Sequence, residues 1–391
     1  MSARPVYLDH AATTPVRPEV REAMLPFLGG ELFGNPSSGH RFGRAVRAAI
    51  EEARGEVARA LGVHAAQVFF TSGGTEADNL AILGPSLRAR EMGRPMHAVV
   101  AATEHKAILA AAHEVAHLGG RETVLPVDAD GLIRQDALEQ ALAQRPSVVS
   151  VMWVNNETGV IQPIAEIARS CRATGVAFHT DLVQAFGKVP VTLEGIDLAT
   201  ISGHKIGGPK GVGALIAREP ASLAPRQHGG GQQGGVRPGT ENVAGIIGLG
   251  RAAALAAAEE ASEARRLAGL RDTLVGRLRA AIPDLHVAAE NGPRAPHILN
   301  IQIRGADAES LLAQLDLEGV AASSGSACTT GSVEPSHVLT AMGIPRDQAL
   351  SAIRLSLGHD STVADIDAAA EVLPRLAEKS RKLAHALGRA G

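Results

Sequence analysis

Short apolar runs alternate along this chain with longer stretches that are rich in alanine, arginine and glutamate. A short apolar run bounded by glycine, proline, asparagine or aspartate is typical of a buried strand, and a repeated strand and helix order favours a mostly parallel sheet covered by helices. The clearest predicted strands are residues 68–71, 98–102, 148–154, 176–180, 198–202 and 212–217. The chain is therefore predicted to be an α/β protein whose ligands bind beyond the carboxyl ends of its strands.

The pattern changes after a glycine-rich stretch at 228–239. A helical stretch follows, and beyond it a second and shorter set of apolar and helical runs begins. The chain has 391 residues, which is long enough to form more than one core. We predict a large domain over residues 16–262 and a smaller α+β domain built from residues 1–15 and 263–391.

Charge and cysteine content narrow the range of partners and compartments. Lys and Arg total 38 while Asp and Glu total 41, so the formal charge is -3. The chain therefore lacks the large positive charge that favours binding to nucleic acid or to an anionic membrane. No apolar run reaches the roughly 18 residues that span a bilayer, and the amino terminus lacks the apolar core of a signal peptide. Cys171 and Cys328 lie far apart in sequence without C-x-x-C spacing, so the chain offers neither a disulfide framework nor a cysteine zinc knuckle. We expect a cytoplasmic protein without nucleic-acid or membrane partners.

Two motifs that a pattern search would return are weakened by their context. Residues 229–234 match the glycine spacing of a dinucleotide site, but they do not follow a strand, and Pro238 blocks the required helix. Residues 113–117 read His-Glu-Val-Ala-His, a spacing that places two histidines on one helix face as zinc ligands. The longer metalloprotease motif needs a third histidine where this chain has Thr123, and a solvated helix face is the simpler interpretation. A zinc hydrolase built on this pair stays open as an alternative.

The segment 202–211, Ser-Gly-His-Lys-Ile-Gly-Gly-Pro-Lys-Gly, directly follows a predicted strand. Lys205 lies at the strand end among glycines, where loss of solvent would lower the pKa of its amine and make it a nucleophile. A lone lysine is usually a surface charge, but a lysine in this setting commonly forms a Schiff base with pyridoxal phosphate. That cofactor also needs a phosphate site and a carboxylate for its ring nitrogen.

Two other strand ends meet these requirements. Residues 71–77 pass from a strand through glycines into a helix, so the backbone at Gly74 and Thr75 and the positive end of the helix dipole can hold a phosphate. Asp181 follows another strand, and a buried carboxylate there would keep a pyridinium nitrogen protonated so that the ring accepts electrons. Gln184 can donate to the phenolic oxygen of the ring. Taken alone, each segment also fits a simpler interpretation, a capped helix start or a polar turn.

Taken together, these segments resemble the class V aminotransferase family of pyridoxal-phosphate enzymes, and within it the cysteine desulfurases of the NifS/IscS type. The resemblance covers nearly the whole chain. It is also carried by residues 7–15, 33–38, 103–107, 154–159, 237–242 and 323–328. It implies a fold-type I architecture with a mostly parallel seven-stranded sheet. The chain departs from the family pattern at His10, Trp153, 182–183 and Gly207, and none of these positions has an assigned chemical role.

The resemblance implies a role for each matching position. Lys205 would bind the cofactor covalently, and His105 would stack on its ring and assist proton transfer. Asn35, Asn156 and Arg354 would bind the substrate, with the planar fork of Arg354 on the substrate carboxylate. The implied cofactor-binding residues are Gly74, Thr75, Asn156, Asp181, Gln184, Ser202, His204, Lys205 and Thr240. Because Thr240 would reach the phosphate of the other subunit, the resemblance also implies a homodimer.

Cys328 decides which reaction the resemblance implies. Its neighbours are too small and polar to form a core, so we expect an exposed mobile loop, whereas Cys171 is interpreted as a small buried hydrophobe. A Cys328 thiolate would attack the sulfur of bound L-cysteine, leaving L-alanine and a persulfide for an iron–sulfur scaffold or another sulfur acceptor. Metal binding is implied only at Cys328, as a transient iron–sulfur ligand. The alternatives are a selenocysteine lyase or other class V enzyme, and a non-catalytic sulfur carrier.

Overall fold

The computed structural model describes residues 5–324 and 334–386 of the chain. Its strands are β1 Val6–Tyr7, β2 Val68–Thr71, β3 His97–Ala101, β4 Arg121–Leu125, β5 Val148–Ser150, β6 Ala177–Asp181, β7 Leu198–Ser202, β8 Gly213–Ala217, β9 Leu285–Val287, β10 Ile298–Ile303, β11 Val320–Ala321 and β12 Ala352–Ser356. Its α-helices are α1 Pro18–Met24, α2 Arg41–Leu61, α3 Gly74–Glu91, α4 Lys106–His117, α5 Gln135–Leu142, α6 Ile164–Thr174, α7 Val243–Ala281, α8 Ala308–Leu317, α9 His337–Ala341, α10 Arg346–Ala349 and α11 Val363–Ala386.

The largest sheet has seven strands in the order β2-β8-β7-β6-β5-β3-β4. Strand β8 runs antiparallel to β2 and β7, and every other neighbouring pair is parallel. The predicted α/β fold with a mostly parallel seven-stranded sheet is therefore confirmed. Most predicted strands match within two residues, but β5 ends at Ser150. Beyond it Val151 and Trp153 still donate backbone hydrogen bonds to β6, and Val154 bridges to Ile161.

Two smaller sheets lie outside the large one. Strands β9, β10 and β12 form an antiparallel sheet with β10 in the centre, and β1 pairs with β11 in parallel register. Their buried side chains form a separate core with α8, α11 and the second half of α7, while the first half of α7 packs on the core of the seven-stranded sheet. The predicted boundary at residue 262 falls inside α7, and the division into domains stays a prediction.

Strands β2, β6 and β7 end at the same edge of the large sheet. Strands β2 and β7 are both antiparallel to β8, so they point the same way, and β6 is parallel to β7. Their last residues are Thr71, Asp181 and Ser202. The segments that follow these residues therefore converge at one sheet edge, as ligand-binding segments do in open parallel sheets.

The two rival motifs form no site among the described residues. Residues 229–234 lie in a loop with a short 3-10 turn at Gln232–Gly235, so they do not join a strand to a helix. His113 and His117 are exposed on α4, and no group of three His, Cys, Asp or Glu in the described part of the chain can hold a metal ion. A zinc hydrolase built on this pair thus lacks a ligand set there. None of the described helices has both the length and the apolar character needed to cross a membrane.

Candidate active site

A cavity of about 340 Å³ lies at this sheet edge. Ten of the thirteen predicted site residues line it, namely Gly74, Thr75, His105, Asn156, Asp181, Gln184, Ser202, His204, Lys205 and Arg354. Asn35 and Thr240 are exposed and are not among the lining residues, and Cys328 lies outside the described part of the chain. The fold thus gathers lysine, histidine, carboxylate and guanidinium groups that are up to 249 residues apart in sequence, from His105 to Arg354, into one cavity.

Lys205 lies one short turn beyond β7 and points its amine into the cavity. Its Nζ donates hydrogen bonds to the carbonyl oxygens of Ala11 at 2.5 Å and Ala12 at 2.8 Å. Burial, together with the neighbouring positive charge of Arg354, lowers the pKa of Lys205 to about 8. A lysine with that pKa is neutral in about a tenth of molecules at pH 7, so the structure places a partly neutral amine in the cavity. Its role as a nucleophile stays a prediction.

Asp181 ends β6 inside the same cavity. Its Oδ1 accepts a hydrogen bond from the backbone N–H of Val183 at 2.7 Å. Burial raises the pKa of Asp181 to about 6, although that hydrogen bond and the charge of Lys205 both favour the ionised form. A cationic ring nitrogen placed against this carboxylate would lower its pKa again, since opposite charges stabilise each other where water is excluded.

The start of α3 forms another wall of the cavity. No side chain caps this helix, and Gly74 and Thr75 at its start line the cavity together with the positive end of the dipole of an 18-residue helix, a combination that suits an anion. A Cβ added at Gly74 would lie 3.2 Å from Cγ2 of Val183 and 3.6 Å from Cβ of Ser202, so the backbone itself forms the wall. His204 stands nearby with Nδ1 3.1 Å from Oγ1 of Thr13, and burial lowers the pKa of His204 to about 4.

His105 immediately precedes α4 and caps it. Its Nδ1 accepts a hydrogen bond from the backbone N–H of Ala107 at 3.2 Å, so Nδ1 carries no proton and the neutral ring is protonated at Nε2. Desolvation lowers the pKa of His105, and the charge of Lys205 lowers it further. The helix start thereby fixes both the orientation and the tautomer of a neutral imidazole that lines the cavity.

Arg354 reaches the cavity from the central residue of β12. Its guanidinium is 2.8 Å from Oδ1 of Asp9 through Nη2, and its Nη1 donates to the carbonyl oxygen of Asn156 at 2.8 Å. The side chain is buried, and Nε has no hydrogen-bond partner among the described residues. An unused donor on a held guanidinium suits a carboxylate ligand.

Asn156, whose carbonyl oxygen contacts Arg354, follows a second asparagine, and the two residues have different roles. Oδ1 of buried Asn155 accepts from the N–H groups of Glu157 and Thr158, and its Nδ2 donates to the carbonyl of Thr103. Asn155 therefore stabilises the turn, and Asn156 is the one of the pair that lines the cavity.

Sequence reasoning missed two buried acids near Asp181. Asp78 lines the cavity, Glu104 accepts a hydrogen bond from the N–H of Met152 at 2.7 Å, and burial raises the pKa of both carboxyls well above their usual range. Asp78 follows Gly74 by four residues on α3, so helical spacing could have placed it on the cavity face. Glu104 gives no such signal, because its burial depends on how α4 packs.

The chain is similar over almost its whole length to known proteins. The family model described as Aminotransferase class-V matches residues 6–369. Proteins named Cysteine desulfurase IscS from Dictyoglomus turgidum and Methanosarcina thermophila are 45% and 44% identical to it, and the matches cover 97% of this chain and 96% and 93% of those proteins. A solved NifS-like protein from Rickettsia africae is 36% identical with a TM-score of 0.86, and the match covers 96% of this chain and 100% of that one. This chain belongs to the class V aminotransferase family.

Proposed function

We propose that this chain is a cysteine desulfurase that uses pyridoxal phosphate to convert L-cysteine to L-alanine. It passes the sulfur, as a persulfide on Cys328, to iron–sulfur cluster assembly or another thiolation. The observation that carries the proposal is the cavity that holds the Lys205 amine and the Asp181 carboxylate together, in a chain whose relatives of matching length are named cysteine desulfurases.

The donor set of the cavity fits pyridoxal phosphate. The uncapped start of α3 offers N–H groups to a phosphate at a point where the side chains of Val183 and Ser202 would crowd a side chain at Gly74. Lys205 offers an amine to the aldehyde, and Asp181 offers a carboxylate to the ring nitrogen. Oδ1 of Asp78 is buried in the same wall without a hydrogen-bond partner among the described residues. The phosphate, the aldehyde and the ring nitrogen of the cofactor therefore each have a matching partner.

When bound, pyridoxal phosphate supplies an aldehyde for amino groups and a ring that withdraws electrons from bonds at the substrate Cα. Lys205 presents an amine that is neutral in a useful fraction of molecules, because its burial lowers its pKa to about 8. His105 holds a proton at Nε2 facing the cavity and can exchange it there. Asp181 holds positive charge on the ring nitrogen, and Arg354 orients the substrate through its carboxylate.

The transfer of sulfur is proposed for Cys328 on the resemblance alone. The Cys328 thiolate forms a sulfur–sulfur bond to the substrate sulfur while the bond from that sulfur to Cβ breaks. The electron pair of the broken bond stays on Cβ, which takes up a proton. L-cysteine and one thiol thus become L-alanine and one persulfide, with no outside oxidant.

A homodimer in the cytoplasm is part of the proposal. Thr240 and Asn35 are exposed and lie outside the cavity of their own chain, which agrees with a role for Thr240 at the phosphate of a second subunit. The acceptor of the sulfur is proposed to be an iron–sulfur scaffold or a similar protein. The size of the purified protein in solution, and loss of cofactor from a Thr240→Ala variant, test the shared site.

A reductive trapping experiment tests the function. We expect the purified protein to be yellow, its spectrum to shift when L-cysteine is added, and L-alanine to form in the same sample. Borohydride should fix a pyridoxyl group to Lys205, found by mass spectrometry of the digested chain. Sulfur release that persists undiminished in a Lys205→Ala variant, or borohydride labelling at another residue alone, would refute the proposal.

A further inference from the structure

His297 directly precedes β10, and its ring reaches a predicted cofactor residue in the turn that follows β6. Its Nε2 lies 3.2 Å from Oε1 of Gln184, a residue 113 positions earlier in the chain. The two side chains are 1% and 5% exposed, so water does not compete for this contact. Nothing in the sequence motifs points to His297, because it lies outside every segment that carries the family resemblance.

The other contact of Gln184 fixes the direction of this hydrogen bond. Gln184 is 2.9 Å from the carbonyl oxygen of Ala11, and a carbonyl oxygen can only accept, so the amide must turn its NH2 group toward Ala11. Oε1 of Gln184 therefore faces His297 and accepts. It follows that His297 is protonated at Nε2, while its buried Nδ1 has no partner among the described residues.

Burial and the cations around His297 both disfavour a second proton on its ring. Burial lowers the pKa of His297 well below its usual range, and the positive charge of Lys188 lowers it further. The same carbonyl oxygen of Ala11 also accepts from Nζ of Lys205 at 2.5 Å. Gln184 and Lys205 are thus held against one acceptor, and the second N–H of the Gln184 amide remains for a ligand in the cavity.

We propose that His297 is a positioning residue that locks the Gln184 amide with its NH2 group toward the cofactor cavity. This inference rests on the proposed function, because the group that receives the second N–H is the phenolic oxygen of pyridoxal phosphate. Without a donor at position 297, Oε1 of Gln184 is buried without a partner and only the contact with Ala11 holds the amide. The N–H that faces the cavity is then less firmly directed at the phenolic oxygen.

Cofactor binding by the full-length chain, stripped of cofactor, tests the proposal. We expect His297→Leu to weaken the affinity for pyridoxal phosphate by about fivefold to tenfold, and His297→Gln, which keeps an N–H donor, to stay within about twofold of the native chain. His97→Leu is the matched control. His97 is a buried histidine whose Nε2 is 2.9 Å from Oγ1 of Thr123, away from the cavity, so this change should leave cofactor affinity unaltered.

Nitrogen-15 NMR of the imidazoles gives a second test that needs no variant and no cofactor. The His297 ring should show a protonated Nε2 and a bare Nδ1, with no titration between pH 6 and pH 9. A proton on Nδ1 would overturn the inference, as would native cofactor affinity in His297→Leu or equal losses in the Leu and Gln variants. Failure of the native chain to bind pyridoxal phosphate would refute the proposed function and this inference together, whereas the other results leave the proposed function intact.

Discussion

Lys188 donates a hydrogen bond from its Nζ to the backbone carbonyl oxygen of Lys205 at 2.8 Å. Lys188 and Lys205 are thereby held close together in the protein interior, and burial lowers the pKa of each to about 8. The positive charge of Lys188 adds to the burial and to Arg354 in lowering the pKa of Lys205. Lys188 thus both holds the backbone of Lys205 and lowers the pKa of its amine.

Replacing Lys188 with Met should raise the pKa of Lys205. The change removes a nearby positive charge, so protonated Lys205 becomes less unfavourable and its pKa moves from about 8 toward its ordinary 10.5. Because burial and Arg354 act more strongly, we expect an upward shift of about half a pH unit. The rate at which the cofactor-free chain combines with pyridoxal phosphate, measured from pH 6 to pH 10, reports this value as its midpoint.

Lys188→Arg is the control for charge, since it keeps a cation at the same position. Its midpoint should stay close to that of the native chain even if the hydrogen bond to Lys205 is strained. An unchanged or lowered midpoint in Lys188→Met would contradict the assigned role of the charge.

Arg354→Lys should raise the KM for L-cysteine by at least about tenfold and change kcat much less. Lysine keeps the positive charge beside Asp9 but loses the planar fork that also holds the carbonyl oxygen of Asn156. Initial rates of L-alanine formation over a range of cysteine concentrations separate the two constants. Arg277→Lys, at an exposed ion pair with Asp367, should leave both constants unaltered. An unchanged KM in Arg354→Lys would exclude Arg354 from carboxylate binding.

The sequence predicts the part of the cavity that follows from strand ends. Asp181 and Lys205 each come directly after or shortly beyond an apolar strand, and parallel strands bring such positions to one edge. Gly207, a departure from the family pattern, also has a local cause. Its φ is +78° and an added Cβ would lie 2.6 Å from Cγ of Arg17, so a side chain is disfavoured there in this chain.

Contacts between distant elements could not be predicted in the same way. His297 and Lys188 contact residues of the cavity only because segments far apart in sequence pack together. The local pattern of apolar and polar residues does not predict such contacts. The sequence does not predict strand β4 clearly, for a different reason. It is the edge strand of the large sheet, and only Leu125 of its five residues is buried, so it shows no apolar run.

Gly74→Ala should weaken the binding of pyridoxal phosphate by about fivefold or more, while the chain still folds. The new Cβ would press on Cγ2 of Val183 at 3.2 Å, and the helix start would have to shift away from the anion site. Equilibrium titration of the cofactor-free chain measures the change. Gly269→Ala is the matched control, because an added Cβ in that exposed part of α7 meets nothing within 4 Å.

The control variant should bind the cofactor normally and gain about 0.5–1 kcal/mol in the free energy of unfolding, since alanine is the better residue in a helix interior. If Gly74→Ala bound the cofactor with native affinity, the start of α3 would not be part of the phosphate site.

Cys328→Ala should abolish the release of sulfur from L-cysteine but spare the release of selenide from L-selenocysteine. Sulfur transfer needs the Cys328 thiolate as acceptor. The weaker carbon–selenium bond instead breaks with its electron pair left on Cβ, so zero-valent selenium departs without an acceptor and a thiol reductant in the assay converts it to selenide. We expect a fall of at least about 100-fold with cysteine and an unaltered cofactor spectrum. Sulfide, selenide and alanine assays on the same preparation provide the comparison.

Cys171→Ala separates this effect from general loss of a thiol. Cys171 is fully buried in α6, and burial raises the pKa of its thiol to about 12, so it is not a nucleophile. Its replacement should leave both activities unaltered and cost about 1 kcal/mol of stability from the small cavity it leaves. Retained cysteine turnover in Cys328→Ala would show that Cys328 is not the nucleophile. Equal loss of both activities would indicate that Cys328 supports the cavity instead of accepting sulfur.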